Sequence, residues 1–254
     1  MLLVLALLAL LLGILYGLSW LSYHPRLVIT EIVVTGTDRT TPQAVEQFVR
    51  EYLAQQPNAA IARSSIFFYP RREIEEEIPK RFLHVKTAIV TRPSIFSQKV
   101  SIAVAEREPF ARWCGEECYV LDADGYIFAL ASSTPKYGMT YIFSGDVAGD
   151  PLGQTYLAGR LTGVLTVLER LGQRGYAAEK VIAENAQDFS VLVSRGFYIR
   201  ATYGANVEQL IRNLELALAS EALVGKEQTL EYVDLRFGNR VYYKMKGEAA
   251  QGVE

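Results

Sequence analysis

The sequence has little of what a metal site or a nucleic-acid interface requires. Its 254 residues include two cysteines and two histidines, whereas a structural zinc site takes four nitrogen or sulfur ligands. The formal net charge is −2, so no general excess of positive charge would attract nucleic acid. Half of the residues are hydrophobic, which excludes a wholly disordered chain and suffices for one or two domains with a core.

Charged residues are absent from the first 23 positions, Met1–Tyr23. As a helix, about 20 apolar residues rise about 30 Å, which matches the hydrocarbon thickness of a bilayer. A cleaved secretory signal is the alternative, but the apolar run is long for one, and neither a basic segment nor a small-residue cleavage site flanks it. Trp20 and Tyr23 lie near one end, where aromatic side chains suit the membrane interface. We predict a retained transmembrane helix over residues 1–23.

The charges beside this segment say little about its orientation. Arg26 follows the segment and no basic residue precedes it, so the positive-inside rule alone would leave the rest of the chain in the cytoplasm. One arginine is weak evidence, and long domains translocate largely regardless of charge. Orientation must therefore be inferred from other features.

The following region predicts a β-α-α-β-β unit, which would place two helices on one face of a three-stranded sheet. Runs of β-branched residues predict its strands, and apolar residues at helical spacing predict its helices. The elements are the strand Leu27–Gly36, a helix from near Pro42 to near Gln55, the helix Arg71–Phe82, and the strands Val85–Thr91 and Lys99–Ala105. The segment Glu106–Pro109 is the candidate domain boundary.

Short strands dominate the second region, with two further helices. The predicted elements are the strands Cys118–Leu121 and Tyr126–Leu130, the helix Tyr156–Leu171, the strands Phe189–Val193 and Phe197–Thr202, the helix Asn206–Ser220, and the strands Thr229–Phe237 and Arg240–Met245. Gly238 and Asn239 between the last two strands predict a tight hairpin. The polar end, residues 247–254, is expected to be a flexible tail. The whole pattern predicts the α+β class.

Two cysteines flank a three-residue loop, Cys114-Gly-Glu-Glu-Cys118. A hairpin loop of this length can bring the flanking Cα atoms to the separation that a disulfide prefers. Two unpaired thiols are the main alternative. A metal site would need two more ligands, and both histidines lie far away in sequence.

Other candidate chemistry is weak. Asp122-Ala-Asp124-Gly125 resembles part of a calcium loop, but the strand that follows leaves a turn as the better interpretation. Glu73 and Glu75–Glu77 lie among the basic residues Arg71, Arg72, Lys80 and Arg81, as on a solvated helix face. No nucleophile elbow, P-loop or zinc-protease motif occurs. We predict no enzyme activity, no cofactor and no small-molecule substrate. A glycan hydrolase with two carboxylates from distant segments remains open.

The order of these features resembles the FtsQ/DivIB family of bitopic bacterial cell-division proteins. The most specific similarities are the opening strand ITEIVVTG, the segment Glu106-Arg107-Glu108-Pro109 and the segment Val233-Asp234-Leu235-Arg236. The resemblance covers nearly the whole chain, although the family's basic cytoplasmic tail is missing. It implies a transmembrane helix at 1–23, a POTRA domain at 24–108, a β domain with two helices and a terminal edge-strand hairpin at 109–246, and a flexible tail at 247–254.

The resemblance also implies a location and a function. The body would lie outside the cytoplasmic (inner) membrane, anchored by one span at the division septum. It would act as a non-enzymatic scaffold that binds homologues of FtsB and FtsL, contacts other divisome proteins through the POTRA domain, and couples divisome assembly to septal cell-wall synthesis. A POTRA-bearing component of envelope transport or secretion is the main alternative.

The terminal hairpin is where partner binding is expected. Alternation places Val233, Leu235 and Phe237 on one face of the sheet, and Asp234 and Arg236 on the other. The last strand would leave unpaired N–H and C=O groups along its outer edge, and such edges pair with other chains. In the family this strand receives FtsB by β-augmentation. The match assigns binding roles to Phe237, Gly238, Arg240, Val241, Tyr242, Tyr243 and Lys244.

Overall fold

The computed structural model describes residues 2–55, 61–131 and 141–253. The chain divides into two compact units, Met1–Arg107 and Glu108–Glu254. The sequence analysis places the boundary one residue later, between residues 108 and 109. The described part contains five α-helices and two sheets, which confirms the α+β class.

The first helix, α1 (Leu2–Ser22), has no charged residue. Its segment Leu3–Ser22 has a mean hydropathy of 2.4, and none of its residues before Ser22 is buried. By length and composition α1 can cross a membrane.

The rest of unit 1 is a three-stranded sheet with two helices. Its elements are β1 (Glu31–Thr35), α2 (Pro42–Ala54), α3 (Arg71–Arg81), β2 (Val85–Thr91) and β3 (Lys99–Glu106). The strand order is β1-β3-β2, with β1 parallel and β2 antiparallel to β3. Both helices contribute apolar residues to one core with the sheet, namely Val45, Val49, Leu53, Ile74 and Ile78.

The first strand is shorter than the predicted Leu27–Gly36. Pro25–Leu27 forms a 3₁₀ turn, and the chain from Leu27 to Thr30 bonds to loops instead of to a neighbouring strand. The Ile29 N–H donates to the Ser64 carbonyl at 2.9 Å, and the Thr30 N–H donates to the Gln98 carbonyl at 3.0 Å. Propensity alone does not distinguish this extended segment from a strand of the sheet.

The segment at the predicted boundary stabilises unit 1. The Glu106 carboxylate accepts hydrogen bonds from the backbone N–H groups of Arg39 and Thr40, at 2.9 and 2.7 Å. Burial by itself would raise the pKa of Glu106, but these hydrogen bonds outweigh it and lower the pKa below its ordinary value. Arg107 donates to the carbonyl groups of Leu83 and His84. The acidic and basic residues of this segment therefore hold the ends of neighbouring elements together.

Unit 2 is built on a ten-stranded mixed sheet. Its elements are β4 (Ala111–Cys114), β5 (Cys118–Leu121), β6 (Ile127–Leu130), β7 (Ile142–Gly145), α4 (Leu161–Gln173), β8 (Ala178–Ala183), β9 (Asp188–Val193), β10 (Tyr198–Thr202), α5 (Val207–Ala219), β11 (Leu230–Phe237), β12 (Arg240–Met245) and β13 (Gln251–Val253), with a 3₁₀ turn at Glu227–Thr229. The strand order is β13-β12-β11-β10-β9-β8-β7-β4-β5-β6. Apolar residues of α4 and α5 pack with one face of this sheet in a single core.

The two helices of unit 2 begin in different ways. Asn206 caps α5, and its side chain accepts a hydrogen bond from the Gln209 N–H at 3.0 Å. The helix α4 begins at Leu161, later than the predicted Tyr156, because Leu157 has a φ of 47° and interrupts the helical backbone. Tyr156 and Leu157 are fully buried, so they belong to the core of unit 2 and do not form the first turn of the helix.

Candidate partner-binding surface

The terminal hairpin consists of β11 and β12 around a tight turn. Gly238 has a φ of 66°, a left-handed conformation that glycine adopts without strain. The Asn213 side chain on α5 donates to the Gly238 carbonyl at 2.7 Å, which ties the turn to the helix. The hairpin therefore has a defined position at one margin of the sheet.

Alternation along β12 separates the predicted binding residues into two sets. Val241 and Tyr243 are each 6% exposed and belong to the core, so their side chains are unavailable to a partner. Arg240, Tyr242 and Lys244 lie on the opposite face of the strand. Any role of Val241 and Tyr243 in binding must therefore come from their backbone groups.

The face of the sheet predicted for Phe237 is wrong. The pairing of β11 with β12 shifts between Asp234↔Tyr242 and Phe237↔Arg240, so β11 contains one extra residue there. Such a bulge reverses the alternation of side chains beyond it. Phe237 is 54% exposed, and its ring lies edge-on to Tyr242 with centroids 5.2 Å apart. The bulge thus brings two aromatic rings together on the face away from the core.

Three charged residues near this aromatic pair, Arg236, Asp234 and Asp188, form a hydrogen-bonded network. The Arg236 guanidinium donates two hydrogen bonds to the buried carboxylate of Asp234, at 2.6 and 2.8 Å, and a third to Asp188 at 2.9 Å. The hydrogen bonds to Asp234 and then to Asp188 raise the pKa of Arg236, although burial opposes them. The network joins β11 to β9, so both residues, which the sequence analysis placed on one face, brace the sheet.

Further polar groups extend the surface beyond the residues chosen from the sequence. Lys244 forms an ion pair with Glu231 at 2.8 Å. The Arg200 guanidinium lies 3.9 Å from the centre of the Tyr232 ring. The Arg200–Tyr232 contact joins strands distant in sequence, and the ion pair depends on the register within the hairpin, so the strand pairing of β10, β11 and β12 is needed to predict either contact.

The predicted vacant edge of β12 is occupied, which corrects the sequence analysis. The segment Gln251–Val253, expected to be part of a flexible tail, forms β13 and pairs antiparallel with Val241–Tyr243. The Tyr243 hydroxyl donates to the Gln251 side-chain oxygen at 2.8 Å. Polar, glycine-containing sequence is poor in strand propensity, so the edge itself, which offers unpaired backbone groups, accounts for the strand.

This covering strand is short, and part of it is exposed to solvent. Three residues pair, and Gln251 and Gly252 are exposed. Gly252 lies against the Tyr242 ring, and a Cβ atom at this position would approach the ring carbons to 3.1 Å. We refer to Phe237, Gly238, Arg240, Tyr242 and Lys244, together with the edge covered by β13, as the terminal-edge surface.

The two cysteines form a disulfide in the structure. Cys114 and Cys118 face each other at the ends of β4 and β5, with Cα atoms 4.1 Å apart. Of the alternatives that the sequence left open, the structure therefore has the bonded pair.

The Asp122–Gly125 segment is a turn. The Asp122 carboxylate accepts hydrogen bonds from the N–H groups of Asp124 and Tyr126, at 3.0 and 2.9 Å. Gly125 has a φ of 86°, and a Cβ atom there would lie 2.5 Å from the Tyr156 carbonyl oxygen. Within residues 2–55, 61–131 and 141–253, no three His, Cys, Asp or Glu side chains are grouped to hold a metal ion.

Comparisons with known proteins do not assign this chain to a family. No family model matches the sequence, and no curated protein is significantly similar to it.

Proposed function

We propose that this chain is a bitopic, non-enzymatic cell-division protein of the FtsQ/DivIB type. In this proposal α1 anchors the chain in the cytoplasmic membrane, the β-α-α-β-β unit is a POTRA domain, and unit 2 is the partner-binding β domain. The order of these elements along the chain supports the proposal. The Cys114–Cys118 disulfide favours a body outside the cytoplasm, because such bonds persist in oxidising compartments.

The proposed partners are homologues of FtsB and FtsL, bound at the terminal-edge surface at the division septum. Unit 1 would contact other divisome proteins, and the whole chain would link divisome assembly to septal cell-wall synthesis. One observation carries the binding site: a three-residue strand, of which Gln251 and Gly252 are exposed, covers β12 on its outer side. Backbone pairing gives affinity to an added strand, and neighbouring side chains give specificity.

The occupied edge changes how such binding would proceed. A partner strand longer than three residues would replace β13 and pair along more of β12, whose backbone extends from Arg240 to Met245. Phe237 and Tyr242 would then offer adjacent rings to side chains of the partner, while Arg240 would offer a positive charge. Aromatic and arginine side chains are the usual anchors of protein interfaces.

Co-purification from membranes tests this proposal. We expect Tyr242→Glu to lower the recovery of FtsB with the full-length chain by about tenfold, since a new charge would disrupt the aromatic pair and an edge-strand contact. Val224→Glu introduces the same charge at an exposed apolar residue elsewhere in unit 2 and serves as the matched control. Recovery with Tyr242→Glu equal to that with the control would contradict binding at this surface.

A further inference from the structure

Two loops of unit 1 expose large apolar side chains. Phe67 and Phe68 lie in the loop before α3, and Ile95 and Phe96 lie in the loop between β2 and β3. Ile95 and Phe96 are 65% and 68% exposed, and both phenylalanines of the first loop are exposed as well. The rings of Phe67 and Phe96 meet edge to face, with centroids 6.2 Å apart. The two loops are therefore in contact through these rings, and we call the four exposed side chains the loop patch.

Sheet topology places the second loop at the end of unit 1 from which the chain leaves α1. The parallel strands β1 and β3 both start at this end, where Glu31 pairs with Lys99, and β2 terminates there. The Gln98 side chain donates to the carbonyl groups of Pro25 and Val28, at 2.8 and 2.9 Å. This loop is thus bound directly to the segment that follows α1.

The first loop is bound to α1 itself. Ser22, the last residue of the helix, is 2% exposed, and its hydroxyl accepts a hydrogen bond from the Ala62 N–H at 3.0 Å. Four residues further along, the Ile66 N–H donates to the Leu27 carbonyl at 2.8 Å. Both halves of the loop patch are therefore held beside the C-terminal end of α1.

The surroundings of the patch suit a lipid headgroup layer. The exposed ring of Trp20 lies in the last turns of α1, where aromatic side chains mark the membrane interface. Arg26 is exposed on the connecting segment, and the Arg92 guanidinium donates to the Ile95 carbonyl while lying over the Tyr69 ring. Apolar side chains flanked by arginine are typical of surfaces that enter the boundary between headgroups and acyl chains.

We propose that the loop patch inserts into the same bilayer that α1 crosses and holds unit 1 against the membrane surface. The inference rests on the membrane anchor of the proposed function. Lipid is the proposed occupant of the patch because the patch continues directly from the end of the spanning helix. Together with the hydrogen bonds to Ser22 and to the segment that follows α1, this insertion would restrict the tilting of the three-stranded sheet and its helices relative to α1. The patch would thereby set the direction in which the body leaves the membrane.

Spin-label accessibility in the full-length chain tests the proposal. The variants Ile95→Cys, Thr35→Cys and Leu11→Cys are each labelled with a nitroxide, in vesicles of phosphatidylethanolamine and phosphatidylglycerol. Cys114 and Cys118 are bonded to each other and do not take the label. Thr35 is exposed at the opposite end of β1 and is the aqueous control, whereas Leu11 lies in the middle of α1. Collision rates with oxygen and with a water-soluble nickel chelate are then measured.

We expect the ratio of oxygen to nickel accessibility at Ile95 to exceed that at Thr35 by about fivefold or more, because apolar oxygen concentrates in lipid. A label at Ile95 as accessible to nickel as that at Thr35, with Leu11 in lipid, would overturn the loop patch and leave the anchor intact. A label at Leu11 accessible to nickel would overturn the anchor as well. Shielding of Ile95 from both reagents would indicate a protein contact and would also overturn the proposal.

Discussion

The ten-stranded sheet ends in two margins that are closed in different ways. At one margin, the segment around Gln154 covers the first residue of β6. The Ile127 N–H donates to the Gln154 carbonyl at 2.9 Å, and the Ile127 carbonyl accepts from the Gly153 N–H at 2.8 Å. The covering segment continues directly into Tyr156 and Leu157, which are fully buried. A disulfide joins β4 and β5, the next two strands of the sheet, at the ends nearest Leu130.

At the other margin, β13 covers β12 with three residues near the end of the chain. Gln251 and Gly252 are exposed. The Gln251 side chain accepts a hydrogen bond from Tyr243 and donates one to Glu248, and Gly252 lies against the Tyr242 ring. Open edges invite pairing with other chains, and proteins block them or use them. The segment beside Ile127 is therefore tied to the core of unit 2, whereas two of the three residues of β13 are exposed; in the proposed function, a partner strand replaces β13.

The largest expected effect is at the β6 margin. We expect Tyr156→Ala to lower the free energy of unfolding of unit 2 by about 4 kcal/mol, since it removes a fully buried aromatic side chain and leaves a cavity. Urea unfolding followed by Trp113 fluorescence, in a Trp20→Phe background, measures the change. Tyr156→Phe is the matched control: it keeps the ring and loses the hydroxyl bond to Ser144, worth about 1 kcal/mol. Equal stability of the two variants would mean that the covering segment is not anchored by this ring.

The disulfide is expected to contribute less. Replacing Cys114 and Cys118 together by serine should cost about 2 kcal/mol, because the bond closes a short loop and a short loop restricts the unfolded chain only modestly. Reductant added to the unaltered chain should give the same shift of the urea midpoint. A midpoint that neither treatment moves would show that the β6 margin owes no stability to this bond.

The sequence predicts some elements of this fold and misses others. Helices α2 and α5 have apolar spacing that matches the cores that they enter, at Val45, Val49, Leu210 and Leu214, so period alone locates them. The short strands β4, β7 and β8 were not predicted, because four to six residues within a mixed sheet show no clear alternation. Their partners come from distant parts of the chain, and local pattern does not contain that information.

The terminal-edge surface was predictable only in part. Gly238 and Asn239 located the hairpin, and hydrophobicity indicated that Val233 is in the core. The exposure of Phe237 was not predictable, because it depends on a bulge in the pairing of β11 with β12. The strand β13 was also missed, since its residues pair because an edge is available and not because their own propensity favours a strand.

The most direct test of the central claim is the affinity of the FtsB–FtsL pair for two forms of the protein, the full chain and a chain that ends at Gly247. The shorter chain lacks β13 but keeps the whole of β12 and the terminal-edge residues Phe237 to Lys244. If pairing of β13 is worth about 1 kcal/mol, its removal should tighten binding about fivefold, because the partner no longer competes with the chain's own strand. Unchanged or weaker binding by the shorter chain would contradict exchange at this edge.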